Sequence, residues 1–160
     1  MANFNIAIKK TLESEGGLSD NPNDSGKLTK FGISQKAYPD EDIANLTIER
    51  AIFLYKRDYW DKIKGDIIYS QSMAESLFDI AVNGGVVTAI KMAQTVLGIT
   101  ADGIIGPITI KSLNLADPEL FLYKFAVTKI ENYIDICKRK PSNRDFFFGW
   151  VIRAIKDLPK

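Results

Sequence analysis

The stretch FNIAIKKTLESEGG, residues 4–17, decides the fold class, and the rest of the chain follows its pattern. Set at 100° per residue, Phe4, Ile8 and Leu12 fall within an arc of about 80°, while Lys9, Lys10, Glu13 and Ser14 lie opposite. That is an amphipathic helix, and the Gly16-Gly17 pair is its stop signal. From Leu18 to Ser34 the chain turns polar and rich in Asn, Asp, Gly, Ser and Pro (SDNPNDSGKLTKFGIS over 19–34). Such a stretch predicts a long loop with a short hairpin around Lys27 to Ile33. Long irregular segments in compact domains are often functional.

Beyond the loop the helical period returns. Thr47 is the N-cap of a helix carrying Ile48, Ala51, Ile52 and Tyr55 and running to Tyr59-Trp60. Ser70 to Val82 predicts a further helix, stopped by Asn83-Gly84-Gly85, and Val86 to Leu97 another. Residues 98–103 form a turn, and Pro107 opens a short helix to about Asn114. Asp117-Pro118-Glu119 combines an N-cap, proline at the first helical position and an acidic first turn, so a long helix starts there and continues to about Arg139. Pro141-Ser142-Asn143 breaks it, and Phe146 to Ile155 forms the last helix. Strand signals are few, so the expected architecture is mostly α, with one core.

The chain has 160 residues, 46% hydrophobic and 26% charged, with one cysteine and no histidine. This is the composition of a globular protein. Absent histidine removes Ser-His-Asp and Cys-His hydrolysis, imidazole acid/base chemistry and His-based zinc sites. One cysteine forms no internal disulfide or thiolate cluster. With Lys+Arg 21 against Asp+Glu 20, the net charge of +1 gives no electrostatic case for nucleic acid. The opening residues carry charges by position 9 and no long apolar run, so neither a secretory signal nor a membrane span is expected. Acid/base work is left to carboxylates, and neither a metal nor a cofactor is expected.

Glu15 is the carboxylate out of place. On the same wheel it lies about 20° from Phe4, on the apolar side, one step before the helix stops. Desolvation there raises a carboxyl pKa and makes the group a general acid near neutrality; a snorkelling or ion-paired helix-end glutamate is the competing reading. Asp24 follows in the polar loop, then Thr29. Glycosidic hydrolysis uses two carboxyls in unlike environments, one protonated and one ionised, and a threonine hydroxyl beside the second can orient a water. Taken alone, Asp24 in its N-D-S-G context also reads as an Asx-turn residue. Asp79 shares a face with Glu75, which favours a solvated or ion-pairing role. Asp102-Gly103 reads as a turn that positions the Pro107 helix, since Ile104 and Ile105 stand where calcium ligands would be needed. Cys137 reads as a small buried residue. Arg153, within a nearly apolar helix, requires an acidic partner.

These residues resemble a known family. The run Glu15-Gly16-Gly17, Asn21-Pro22, Asp24, Gly26, Thr29 and Phe31-Gly32-Ile33-Ser34 is similar to the signature of the glycoside hydrolase family 108 lysozyme-like muramidases, which include phage endolysins and bacterial "secretion activator" proteins. The likeness continues through Tyr59-Trp60 and Asp79-Ile80-Ala81-Val82-Asn83-Gly84. It then extends over Ala93-Gln94, Leu97-Gly98, 101–107, Thr109 and Phe146-x-x-Gly149-Trp150-x-x-Arg153. Leu18, where the family usually has an aromatic residue, and Lys27, where a second glycine is common, depart from the pattern. Both flank the cleft loop and bear on substrate preference.

The resemblance implies a lysozyme-like single-core helical fold, with residues 1–85 as catalytic region and 86–160 as a helical peptidoglycan-binding region, packed as one unit. It implies a peptidoglycan hydrolase, an N-acetylmuramidase, cleaving the β-1,4 bond between N-acetylmuramic acid and N-acetylglucosamine. Glu15 maps to the catalytic glutamate; Asp24 and Thr29 correspond to the Asp and Thr that follow it in similar phage lysozymes. Asn83 could hydrogen-bond an N-acetyl group or cap its helix. Tyr59 and Trp60 could stack on sugars or belong to the core. The expected partner is bacterial peptidoglycan, reached by a monomer made in the cytoplasm without a signal peptide and released to the wall through a holin-like pore. A peptidoglycan-binding or secretion-assisting module that does not hydrolyse is the alternative.

Overall fold

Helix α3 (Gln71–Gly84) is the element on which the rest is assembled: α1 (Phe4–Ser14), α4 (Val86–Val96), α6 (Pro118–Arg139) and the π-helical turn Lys56–Trp60 all pack on it. The computed structural model describes residues 1–14, 18–19, 29–156 and 158–159. Ser70 caps α3 by accepting from the Met73 amide, satisfying one of the four open N–H groups of its first turn. Met73, Ala74, Ser76, Leu77, Phe78, Ile80 and Ala81 are all buried. A helix apolar around most of its circumference is a central one.

Helix α1 docks at the start of α3. The Asn3 amide donates to Gln71 Oε1 (2.6 Å), Gln71 Nε2 returns a bond to the Asn3 carbonyl (3.1 Å), and Lys10 pairs with Glu75. Phe4 then meets Trp60 and Phe78, with centroid separations of 5.6 and 6.0 Å, and Trp60 meets Phe78 edge-on at 5.6 Å. The 3-10 turn Gly65–Ile67 closes over the indole: a Cβ at Gly65 would stand 2.2 Å from the Trp60 ring, so only glycine fits. Asp66 Oδ1 accepts the indole N–H at 2.7 Å.

The boundaries follow local chemistry. Thr47 caps α2 (Ile48–Tyr55) through the Arg50 amide, and Asp117 caps α6 through the Leu120 amide at 2.8 Å, with Pro118 at the first position and Lys138 and Arg139 in the last turn. Helix α5 (Pro107–Leu115) also opens on proline, and α7 (Arg144–Lys156) follows a 3-10 turn at Pro141–Asn143. The expected helix to Trp60 is instead α2 followed by the π turn, whose wider winding holds Trp60 in the core while Tyr59 stays half-buried. Three two-residue strands, β1 (Leu18–Ser19), β2 (Thr29–Lys30) and β3 (Ile33–Ser34), form an antiparallel sheet in that order. The fold is mostly α, as expected. Among the described residues no helix is long and apolar enough to cross a membrane.

One core cluster runs from Ala2 to Ala154. Polar ties cross it. Lys129 on α6 is 1% exposed, donates to Ser76 Oγ on α3 (2.7 Å) and lies 5.1 Å from the Phe125 ring centroid. Arg153 on α7 pairs with Asp79 on α3 at 2.7 Å, the acidic partner its apolar helix required. Gln94, 1% exposed, organises the turn before α5: its Nε2, with two N–H groups, lies within hydrogen-bond reach of three acceptors, Asp102 Oδ1 (2.7 Å), the Ile104 carbonyl (3.1 Å) and Thr109 Oγ1 (3.1 Å), and its Oε1 accepts from the Gly103 amide (2.9 Å). Asp102 is thus a turn-forming residue. Cys137 is buried.

Two substitutions test these ties by urea unfolding. Gln94→Leu keeps the volume but strands the groups around it, and should lower stability by about 1–3 kcal/mol. Arg153→Met should cost about 1–3 kcal/mol by leaving the Asp79 carboxylate without its cation, and adding Asp79→Asn should recover part of that loss.

Candidate active site

The sheet organises the region around the polar loop. Leu18 pairs with Lys30 and Ser19 with Thr29; Thr29 then pairs with Ser34 and Lys30 with Ile33. Thr29 therefore sits on the central strand, between the segment that follows α1 and the strand returning to the core. The β2–β3 turn consists of Phe31 and Gly32, at φ +52° and +75°. Two left-handed residues in succession give the turn whose twist matches a tight hairpin. Glycine takes this conformation freely, whereas for phenylalanine it costs about 1–2 kcal/mol.

Four side chains oppose that cost. The Phe31 ring packs against the core, and so does Ile33, which is 2% exposed. Tyr55, the last residue of α2 and itself 1% exposed, donates its hydroxyl to the Phe31 carbonyl at 3.0 Å. Lys30 Nζ reaches the Ala44 carbonyl at 3.1 Å. The hairpin is anchored to α2 and to the connection that precedes it.

A tyrosine cluster stands beside this anchor. The Tyr55 and Tyr59 rings are 5.9 Å apart, and Tyr38 donates its hydroxyl to Asp58 Oδ2 at 3.0 Å. Burial, then hydrogen bonding with Tyr59 and Asp58, pushes the Tyr38 phenol far above its ordinary range, so it stays a protonated donor at any physiological pH. Asp58 lies below its ordinary 3.8, first because Arg57 bonds it through Nε (2.7 Å) and Nη2 (2.6 Å), then through Tyr38.

The residues singled out from the sequence fare differently. Glu15 and Asp24 lie outside the described residues; α1 ends at Ser14, one position before Glu15. Thr29 is half-buried on β2, and Tyr59 joins the cluster at the hairpin. Trp60 does not serve as a sugar platform: it is 0% exposed, both its ring and its N–H being taken up by the core and Asp66. Asn83 is exposed at the end of α3 and donates Nδ2 to the Asp79 carbonyl at 2.7 Å, a helix-end bond. It also borders a cavity of about 150 Å³ with Asn132, Tyr133, Trp150 and Arg153. The Tyr38 and Tyr55 hydroxyls were not foreseen; the available signal was tyrosine, not phenylalanine, at positions that pack as core.

The Asp58 contacts carry a pH prediction. A carboxyl held below its unfolded pKa contributes stability that is complete above about 3.8 and is lost as pH falls through the lower folded value. The drop in stability from pH 7 to pH 3 should be smaller in Asp58→Asn, measured by urea unfolding at both values.

Comparison with known proteins agrees with this architecture. The family described as "Glycosyl hydrolase 108" matches residues 8–85, and the one described as "Predicted Peptidoglycan domain" matches residues 88–155. No curated protein matches the sequence. Among solved structures, SagA of Brucella abortus superposes with a TM-score of 0.81 at 25% identity, over 96% of this chain and 90% of that one. The two matches lie end to end in the order of the motifs, the fold agrees with the solved relative, and residues 8–85 belong to the glycosyl hydrolase 108 family of lysozyme-type glycoside hydrolases, with a peptidoglycan domain behind them.

Proposed function

We propose that the protein is an N-acetylmuramidase that cleaves the β-1,4 bond between N-acetylmuramic acid and N-acetylglucosamine. Glu15 protonates the glycosidic oxygen as the sugar gains oxocarbenium character. Asp24 and Thr29 hold and activate a water on the opposite face, which gives inversion at the anomeric carbon. Tyr59 and Asn83 contact the glycan. Residues 1–85 form the catalytic region and 86–160 the region that holds the wall. The enzyme is a monomer made in the cytoplasm, and it acts on the wall after release through a holin-like pore.

The observation that carries this reading is the pairing of β1 with β2. It sets Ser19, four positions after Glu15 in the chain, directly across from Thr29. Residues distant in sequence are thereby tied into one small sheet, and a hydrolase of this kind needs its acid and its water-holding groups on a common frame. A mechanism on two carboxyls and a hydroxyl also suits a chain without histidine.

Mass analysis of soluble muropeptides released from purified walls tests the proposal. The wild-type chain should generate new reducing ends at N-acetylmuramic acid. Glu15→Gln should lower the rate by about a hundred- to ten-thousand-fold, the usual worth of a positioned acid. Unchanged release by that variant removes Glu15 from the role, and no release from the walls of several bacteria favours the non-hydrolytic binding module. Proton NMR of the first product formed should show the α-anomer; a β-anomer would mean retention.

A further inference from the structure

We propose that Tyr55 is a positioning residue: its hydroxyl holds the Phe31-Gly32 turn and, through it, the strand that carries Thr29. The inference rests on the functional reading above and adds to it a group that acts through the turn.

Phe31 adopts φ +52°, a conformation that L side chains other than Asn and Asp seldom hold without external restraint. Residues so held cluster where a protein needs fixed geometry, and the surroundings must supply the restraint. The Phe31 carbonyl lies in the two-residue connection, outside the paired positions Lys30 and Ile33, and it accepts the Tyr55 hydroxyl at 3.0 Å.

Tyr55 is well placed to act as a fixed post. It is 1% exposed, with its ring between Tyr59 at 5.9 Å and Phe78 at 6.4 Å. Phenylalanine would fill the same space. The hydroxyl makes a bond across 24 positions of sequence to the turn, which phenylalanine cannot make. The strands are two residues long, so their ladder alone is too short to stand without support. Because β2 is the central strand, whatever fixes its turn also fixes Thr29 and the register with β1. The Lys30 bond to Ala44 is a second tether, and it leaves the Phe31 carbonyl untouched.

The test is Tyr55→Phe in the full chain, read by muropeptide release and by amide hydrogen exchange. The turnover number should fall at least about tenfold with KM changed less than about twofold, since a misplaced group costs rate more than binding. Amides of residues 29–34 should exchange at least about tenfold faster, while those of α3 keep their protection. Adding Phe31→Asn, which holds the left-handed conformation more readily, should restore part of the lost rate. Unchanged turnover in Tyr55→Phe, unchanged exchange at 29–34, or equal loosening of α3 would each overturn the proposal. An inactive wild-type enzyme would instead sink the muramidase reading, and the exchange arm would still decide whether the hydroxyl holds the turn.

Discussion

The contact among Phe4, Trp60 and Phe78 is the constraint on which the rest depends. Three rings from α1, the π turn and α3 meet at centroid distances of 5.6–6.0 Å, and Gly65 closes over the indole where a methyl group would collide. Aromatic burial of this kind supplies a large share of folding free energy. It also fixes directions. Once Phe4 is seated, α1 has one trajectory along α3, and its end delivers the chain to the segment that contains Glu15. Once Trp60 is seated, the wide turn that carries it sets Tyr59 beside Tyr55 and Asp58 beside Tyr38.

The hairpin shows the opposite economy. It is small, with two residues in each strand, and one of its turn residues is strained. Its order comes from outside: the apolar contacts of Phe31 and Ile33, and the Tyr55 hydroxyl. A short rigid appendage anchored to a helical core is a common way to hold a few polar groups at a cleft, because the scaffold absorbs the strain and the loop supplies the chemistry. For a family 108 hydrolase this gives the central strand, with Thr29, a fixed relation to helix α2.

Beyond α3 the chain is bound to the first half by polar contacts set within apolar surroundings. Lys129 reaches Ser76, and Arg153 reaches Asp79, each from a helix of the second half to α3. Such contacts contribute little through net electrostatic gain, since desolvation offsets attraction. Their effect is orientation: a buried donor left without its acceptor is costly, so the helices have one register in which they pack. Gln94 does the same for the turn before α5, gathering Asp102, Gly103, Ile104 and Thr109 around a single amide.

The sequence by itself determined what local chemistry controls. Thr47, Ser70 and the Asp117-Pro118 pair mark helix starts because a cap needs only the next three residues, and each stands where it was expected. A hairpin around Lys27 to Ile33 was expected from the Asn, Asp, Gly, Ser and Pro content of the stretch, and its described part runs from Thr29 to Ser34; Glu15 stood out because an acidic residue on an apolar face is a conflict visible on a helical wheel. Tertiary structure alone decided the rest. The β1 pairing has no periodic signal, since two residues carry none. Trp60 is core and Tyr59 is at the hairpin because a π turn changes the register after Tyr55, and composition does not encode that winding. The partners of Tyr55, Lys129, Gln94 and Arg153 lie from 8 to 74 positions away. Contacts over such separations exist only after the aromatic core has brought the helices together. Which residues carry polar groups is therefore written in the sequence, and the geometry of the described ones is set by packing.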